Sequence, residues 1–288
     1  MTGAEAKTSV GALRAFDASR HAASDFLAAW LDCASRLEGE ARHQFERYYA
    51  GYLKRFDAYM RHSYDRRLEP LLARVEGGTR VLEVGSGCGS ECLLLACLGC
   101  EVTGIEIHGK RLHTARERQS LLEELRGAPL PCRFVEGSLF DEELNLGGAP
   151  FDIVWMEEAF HHLEPRDRVG ESIAALLPAG GHLVIAETNA LNPLVQLQLL
   201  RARGWPKTRT VTDDRGRTHE YGVERVTSAG RLARLFGDAG FRTELVRHER
   251  LFPNLGMAPD ALMALERLLT FAPRSAFVHY TWVGRRNP

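Results

Sequence analysis

Two groups of residues in this 288-residue chain have types and spacings that can do chemistry. The first is the run Val81-Leu82-Glu83-Val84-Gly85-Ser86-Gly87-Cys88-Gly89-Ser90, an apolar strand that ends in glycines at alternate positions and leads into a helix. Gly85 and Gly87 permit a tight turn and let a ligand approach the backbone, while the first turn of the helix offers unpaired N–H groups. Glu106 follows about twenty residues later, where an acid accepts hydrogen bonds from ribose hydroxyls. The second group is Met156-Glu157-Glu158-Ala159-Phe160-His161-His162-Leu163, with Glu187 at the end of the next apolar run. Histidine has an unperturbed pKa of about 6.5, close to neutrality, so His161 is the candidate to take a proton from a hydroxyl or phenol. Glu187 would orient that ring and raise its pKa, with service to the turn at Asn189 as its alternative role. His162 is a second candidate, with capping or packing against the next helix as its plainer role. Glu157 and Glu158 are chain neighbours whose side chains point apart, so they do not read as the paired acids of a hydrolase.

These residues need a scaffold, and the hydrophobic pattern supplies one. From about Val10 to Arg74 the apolar residues fall at helical spacing, and the second half is rich in tyrosine (Tyr48, Tyr49, Tyr52, Tyr59, Tyr64). After Gly77-Gly78 short apolar runs at Arg80–Val84, Glu101–Ile105, Arg133–Val135, Phe151–Trp155 and His182–Ala186 alternate with helical stretches. That alternation predicts an α/β fold, a parallel sheet with helices on both faces. Beyond Glu187 the rhythm is interrupted by a polar, irregular stretch, Asn189 to Thr227. A helix around Ser228–Ala239, a strand at Phe241–Val246, a second helical insertion at Pro259–Thr270 and a last strand at Ala276–Val283 follow. The expected division is a helical N-terminal cap over residues 1–75 and a catalytic domain over 76–288, with insertions at about 189–227 and 253–274.

Both NAD and S-adenosylmethionine carry a ribose for Glu106, and three features favour the second. The dinucleotide fingerprint wants its third Gly or Ala at the position of Ser90, whereas this loop has Gly89 one residue earlier. Glu83, inside the strand, suits a cationic amino group and gains nothing beside a pyrophosphate. The last strand is placed to fold back antiparallel, which dinucleotide domains do not usually do. On Val81–Ser90, Glu106, Phe134–Ser138, Phe151–Leu163 and Leu176–Glu187 the chain resembles the class I S-adenosylmethionine-dependent methyltransferases, of the small-molecule, UbiE-like kind. The resemblance implies a Rossmann-like sheet of seven strands, mostly parallel, in the order 3-2-1-4-5-7-6 with strand 7 antiparallel. It implies that Gly85, Ser86, Gly87 and Gly89 line the methionine and ribose, that Glu106 holds the ribose hydroxyls and that Ile107 packs on adenine. It also places Gly137, Ser138 and Leu139 at the adenine ring, although the family commonly has Asp where this chain has Ser138. Glu157 would approach the methionine ammonium, and S-adenosyl-L-homocysteine would be the product. DNA amino-methyltransferases of this fold carry Asn/Asp-Pro-Pro-aromatic where this chain has Met156-Glu157-Glu158-Ala159, which argues against that activity.

Composition narrows the partners. A net charge of -1 gives no overall attraction to nucleic acid or anionic membranes. The stretch holding Arg201, Arg203, Lys207, Arg209, Arg215 and Arg217 is diluted by Asp213, Asp214 and Glu220, and reads as a solvated lid surface. Leu191–Leu200, apolar with arginines at its end, reads as a lid helix, with a membrane surface as the alternative resting place. The start lacks a secretory pattern and no run of about 18 apolar residues occurs, so a cytoplasmic protein without integral membrane association is expected. The six cysteines sit mostly in one apolar stretch and read as reduced thiols, with no metal site. The three additions to the sheet are expected to converge as a lid, with Tyr52, Tyr59, Tyr64, Trp205, Tyr221 and Phe252 walling an apolar pocket. The expected activity is methyl transfer to a small, largely apolar metabolite, oxygen ahead of nitrogen or carbon, with a homodimer left open. The rival readings are a cyclase of the same fold that binds the cofactor without methylating, and a methyltransferase acting on protein or RNA.

Overall fold

The computed structural model describes residues 10–17, 20–142, 144–148, 150–204, 208–213, 216–252, 258–269 and 271–288, with the backbone alone at Arg203. The chain divides into two compact units, Met1–Leu68 with Arg74–Gly148, and Glu69–Ala73 with Ala149–Pro288. The main sheet has seven strands: β1 (Arg80–Val84), β2 (Glu101–Glu106), β3 (Cys132–Glu136), β4 (Ile153–Glu157), β5 (His182–Thr188), β8 (Phe241–Glu249) and β9 (His279–Arg286). β6 (Thr208–Thr212) and β7 (Thr218–Gly222) form a separate antiparallel hairpin. The sheet order is β3-β2-β1-β4-β5-β9-β8. With the hairpin set aside, β8 and β9 stand sixth and seventh, so this is the Rossmann-like 3-2-1-4-5-7-6 order. β1·β2, β2·β3 and β4·β5 pair parallel, and β9 runs antiparallel to both β5 and β8.

In the first unit, α1 (Ala23–Asp32), α2 (Gly39–Tyr48), α3 (Ala50–Lys54) and most of α4 (Ala58–Leu72) precede β1, and α5 (Ser90–Cys97) and α6 (Gly109–Arg126) cross between the strands. α5 is buried along most of its length, as a crossover between parallel strands must be. The N-terminal helices seat their aromatic face around one cation. Arg118 of α6 is fully buried, with its guanidinium 4.4 Å from the Trp30 ring centroid, 5.0 Å from Phe45 and 5.5 Å from Tyr49. It donates to the Cys88 carbonyl at 2.6 Å and the Ser90 hydroxyl at 3.0 Å. The glycine turn is thus tied from below to the helical preface.

In the second unit, α7 (Val169–Leu176) connects β4 to β5, and α9 (Ala229–Asp238) precedes β8. Phe236 of α9 stacks on Trp282 of β9 at 5.4 Å and meets Phe160 at 5.8 Å, all three fully or almost fully buried. Each such ring removes roughly 150–250 Å² from water, about 4–6 kcal/mol of gross transfer free energy.

Within Asn189 to Thr227, read as irregular apart from a lid helix at Leu191–Leu200, the described residues form that helix and an antiparallel hairpin. Asn192 caps α8 (Pro193–Arg203) by accepting the N–H groups of Leu194 and Val195, and Pro193 supplies the preset φ of a first helical position. The hairpin is legible afterwards in its threonines and valine, which favour strands, and in Asp213, which accepts the Arg217 N–H across the turn. Leu191, Leu194, Leu197 and Leu200 are all exposed. The second insertion forms α10 (Pro259–Leu268). No helix among the described residues is long and apolar enough to cross a membrane. Lys207 and Arg215, from the basic stretch, lie outside the described residues.

Arg118→Met keeps the volume but removes the charge. It is expected to lower the unfolding free energy by about 2–4 kcal/mol, from a desolvated cation–π contact and the lost hydrogen bonds to Cys88, Ser90 and Tyr49. Urea melts followed by circular dichroism measure this, and a loss under about 1 kcal/mol would show that the guanidinium only fills space.

Candidate functional site

The glycine turn leaves the carboxyl end of β1 with Gly85, Gly87 and Gly89 at φ of 80°, 52° and 78°, a left-handed region in which a Cβ is strained. The turn is also crowded. A Cβ on Gly89 would lie 2.7 Å from the Phe134 ring, and one on Gly87 would collide with the Tyr48 hydroxyl. The N–H groups of Gly85 and Ser86 both donate to the Ile105 carbonyl, at 2.8 and 3.0 Å, pinning the loop to the end of β2.

Glu106 lies beside it, 6% exposed. Its carboxylate accepts the Gly87 N–H at 3.2 Å and the His108 N–H at 3.1 Å, and Arg111 approaches at 3.4 Å. These donors fix the carboxylate's direction and leave lone pairs on both oxygens for further donors. The Ser86 hydroxyl is buried without a hydrogen-bond partner. A polar atom orphaned inside a glycine cradle, next to an oriented acid, fits a ligand bearing both hydroxyls and a polar amino-acid end. Ile107 and Leu139 are half-buried nearby in sequence to this edge, and Gly137 donates its N–H to the Glu106 carbonyl at 3.1 Å. The buried Ser138 accepts from the Phe140 N–H at 3.3 Å while its own N–H goes to Asp141 at 2.8 Å.

Glu83 stands in the buried strand before the turn. It is 3% exposed, and the Cys92 thiol donates to it at 2.9 Å, so its carboxylate faces α5 within the core. Tyr59 and Tyr64 are also core residues, each 2% exposed, and the Tyr64 hydroxyl donates to Glu91 at 2.5 Å. Tyr52 is half-buried and accepts from Arg67 at 2.6 Å. The tyrosine that meets the glycine turn is Tyr48, with Arg111 5.3 Å over its ring. Sequence reasoning passed over both. The available signal was that Tyr48 and Tyr52 lie one helical turn apart, which cannot say which one faces the loop. Trp205 lies outside the described residues. Phe252 is half-buried and its carbonyl accepts from Arg250 at 3.2 Å.

In the second unit, the carboxyl ends of β4 and β5 carry the other group. Glu187 has no exposed surface, and its two oxygens receive the His161 N–H at 3.2 Å and His161 Nδ1 at 2.9 Å. With Nδ1 donating, Nε2 of His161 points the other way, 3.6 Å from Glu224. Burial works against a charge on His161, but the carboxylates of Glu187, then Glu158 and Glu224, outweigh it and push the pKa up to about 9. His162 serves the hairpin: its Nδ1 donates to the Gly222 carbonyl at 2.8 Å and its ring stacks on Tyr221 at 4.4 Å. Gly222 is held so close to the His161 carbonyl that a Cβ there would collide with it.

Glu157 is half-buried, and Glu158 rather than Glu157 is the acid that reaches the histidine cluster. Glu158 accepts from the Thr188 hydroxyl at 2.7 Å and from His279 Nδ1 at 2.9 Å. Arg250 donates to the opposite ring nitrogen of His279 at 3.3 Å, which fixes the tautomer. Tyr280, opposite Glu187 in the β5–β9 register, is fully buried with an unpartnered hydroxyl. Burial, then the charges of Glu187 and Glu158, hold that phenol well above its usual pKa. His279 and Tyr280 were not anticipated, because only the antiparallel register of β9 brings its first residues to the carboxyl ends of the parallel strands. Among the described residues, the non-glycine residues with positive φ are Glu158 (48°), Glu224 (49°) and Arg250 (62°), and each one touches His161 or His279. Backbone strain of this kind persists where surrounding structure holds a residue for a purpose.

A family model described as a methyltransferase domain matches residues 56–246, more than half of the chain. A protein-L-isoaspartate O-methyltransferase of Anaeromyxobacter dehalogenans is 39% identical over 111 residues, 38% of this chain and 47% of that protein. The methyltransferase GfsG of Streptomyces halstedii is 34% identical over 127 residues, 43% of each chain. The chain therefore spans less than half the length of these curated relatives. The crystal structure of magnesium protoporphyrin IX methyltransferase from Synechocystis, with S-adenosyl-L-homocysteine bound, superposes with a TM-score of 0.53 at 15% identity, covering 85% of this chain and 94% of that one, a likeness of fold. Sheet order and family match agree: the chain has the class I methyltransferase fold and belongs to the methyltransferase-domain family.

Proposed function

We propose that this protein transfers a methyl group to an oxygen of a small, largely apolar molecule, with His161 as the proton acceptor and Glu187 as the residue that positions it. The buried His161–Glu187 contact at 2.9 Å carries this reading. Bound S-adenosylmethionine supplies an electrophilic methyl carbon on a cationic sulfur. What remains for the chain is to bind, to orient and to remove a proton.

Gly85, Ser86, Gly87 and Gly89 offer the cradle, and Glu106 accepts the ribose hydroxyls. Nε2 of His161 takes the acceptor's proton while Nδ1–H stays with Glu187, which keeps the ring in the tautomer that base catalysis needs. Glu224, 3.6 Å from Nε2 and on a side chain 40% exposed, moves aside for the acceptor hydroxyl. Tyr221, stacked on His162, forms part of the wall over it. The name of the Anaeromyxobacter relative, an O-methyltransferase, supports oxygen as the acceptor atom. The near-neutral charge balance supports a small molecule over nucleic acid.

Glu106→Gln keeps the shape but weakens two charge-assisted hydrogen bonds. S-adenosylmethionine affinity by calorimetry is expected to fall by about 10- to 150-fold, and an unchanged affinity would remove Glu106 from the ribose. With the base held at about 9, kcat is expected to rise with pH through that value, because only the neutral imidazole accepts a proton. His161→Ala is expected to lower kcat by about 10²–10⁴-fold without changing cofactor affinity. Glu187→Gln removes the main carboxylate that raises the pKa and leaves burial, which lowers it. The rising limb of its pH–rate profile is therefore expected at lower pH, with a smaller plateau; an unmoved limb would dismiss the pair.

A further inference from the structure

A second feature of the same unit lies beside Phe160, the residue before His161. A cavity of about 450 Å³ opens there between α8, the segment 225–227 and α9. Its size falls within the range of small-molecule pockets. Phe160, Leu232 and Leu235 make its apolar wall, and Arg166, Arg225 and Arg231 line the rest. Gln196 of α8 faces it as well.

The charges do not balance. Glu164 is the acid that meets these arginines: it accepts Arg225 Nη1 at 2.5 Å, and Arg166 Nη2 stands 3.9 Å away. Two of the three guanidiniums therefore share one carboxylate, which Arg231 does not reach. Arg166 spends its two terminal nitrogens on the backbone carbonyls of Arg225, at 2.9 Å, and Phe160, at 3.3 Å, while its Nε is buried without a partner. Arg231 is exposed and its side chain forms no ion pair among the described residues. Burial, with Arg225 close by, lowers the Arg166 pKa although Glu164 and Glu187 act to raise it. The first turn of α9, capped by Ser228, starts at the same wall and adds the positive end of a helix dipole.

We propose that this cavity is an anion subsite, which holds a carboxylate or phosphate attached to an apolar body, and that the methyl acceptor carries that group. Arginine is the side chain suited to planar, forked recognition of such oxyanions, and the apolar wall selects the body that bears them. Arg225 and Phe160 also tie the cavity to the reactive histidine: the Arg225 N–H donates to the His161 carbonyl at 3.3 Å, and Phe160 precedes His161 in the chain. An anion bound here would hold the rest of the acceptor in fixed relation to the His161 turn. The second half of the proposal rests on the methyl-transfer reading above; the first half does not.

The test uses the full chain and 4-fluorobenzoate as the probe, followed by fluorine NMR, with inorganic phosphate as competitor. Saturable binding that phosphate displaces is expected, weakened about tenfold or more in Arg231→Gln, an exposed position where unfolding is not at issue. Arg225→Gln is expected to weaken it further, with thermal melts showing whether the Glu164 contact was also needed for folding. No binding, or binding unchanged in Arg231→Gln, overturns the subsite. Label transferred from S-adenosylmethionine into extract products retained on an anion exchanger supports the acceptor assignment, and label confined to neutral products overturns it. Intact probe binding with no cofactor binding by calorimetry would sink the methyl-transfer reading while leaving the anion site standing.

Discussion

A carboxylate with no exposed surface must be met by hydrogen bonds or a positive charge, and much of the second unit is arranged around that requirement at Glu187. His161 meets it twice, with its backbone N–H and with its ring. Once the ring faces Glu187, the short 3₁₀ turn at Phe160–His162 has its direction, and the turn's own carbonyls become anchors. Gly222 closes the hairpin against the His161 carbonyl, and the Arg225 N–H donates to the same oxygen. The same interaction therefore fixes a candidate base, positions the inserted hairpin and shapes one wall of the arginine-lined cavity.

The cluster is held under strain. Glu158, Glu224 and Arg250 all adopt left-handed backbone without the excuse of glycine, and all three direct side chains at histidines. Three separate loops, after β4, β7 and β8, bear that conformational penalty. Glu158 and Arg250 together fix the tautomer of His279, and Glu224 stands beside Nε2 of His161.

The first unit solves a different problem, presenting backbone to a ligand. The glycine turn is crowded by Tyr48 above and by Phe134 at its side, and Arg118 holds its Cys88 carbonyl from beneath. A turn so enclosed has little freedom to collapse, which suits a cradle whose binding groups are mostly N–H donors and one oriented acid. The helical preface is accordingly part of the cradle: the aromatic rings that cover Arg118 come from α1 and α2 and from Tyr49 just beyond them.

The sequence by itself determined what depends on neighbours along the chain. The glycine turn, Glu106, the five parallel strands and the His161 segment each show in a short window, because glycine permits unusual φ, buried strands are continuous apolar runs, and an acid at a strand end has a fixed offset from its loop. The tertiary structure decided what depends on residues far apart. Which of Glu157 and Glu158 reaches the histidines follows from a left-handed φ at Glu158 and from His279, more than a hundred residues later. That His279 and Tyr280 stand beside Glu187 follows from the antiparallel return of β9, whose register no local pattern states. Glu83 meets the Cys92 thiol from the helix that follows the turn, and Tyr48 took the place at the cradle because helix packing, not composition, chose which tyrosines would face the turn. Spacing reveals which side chains share an element, whereas contact between elements depends on how their faces fit, and that is settled only when the core is packed.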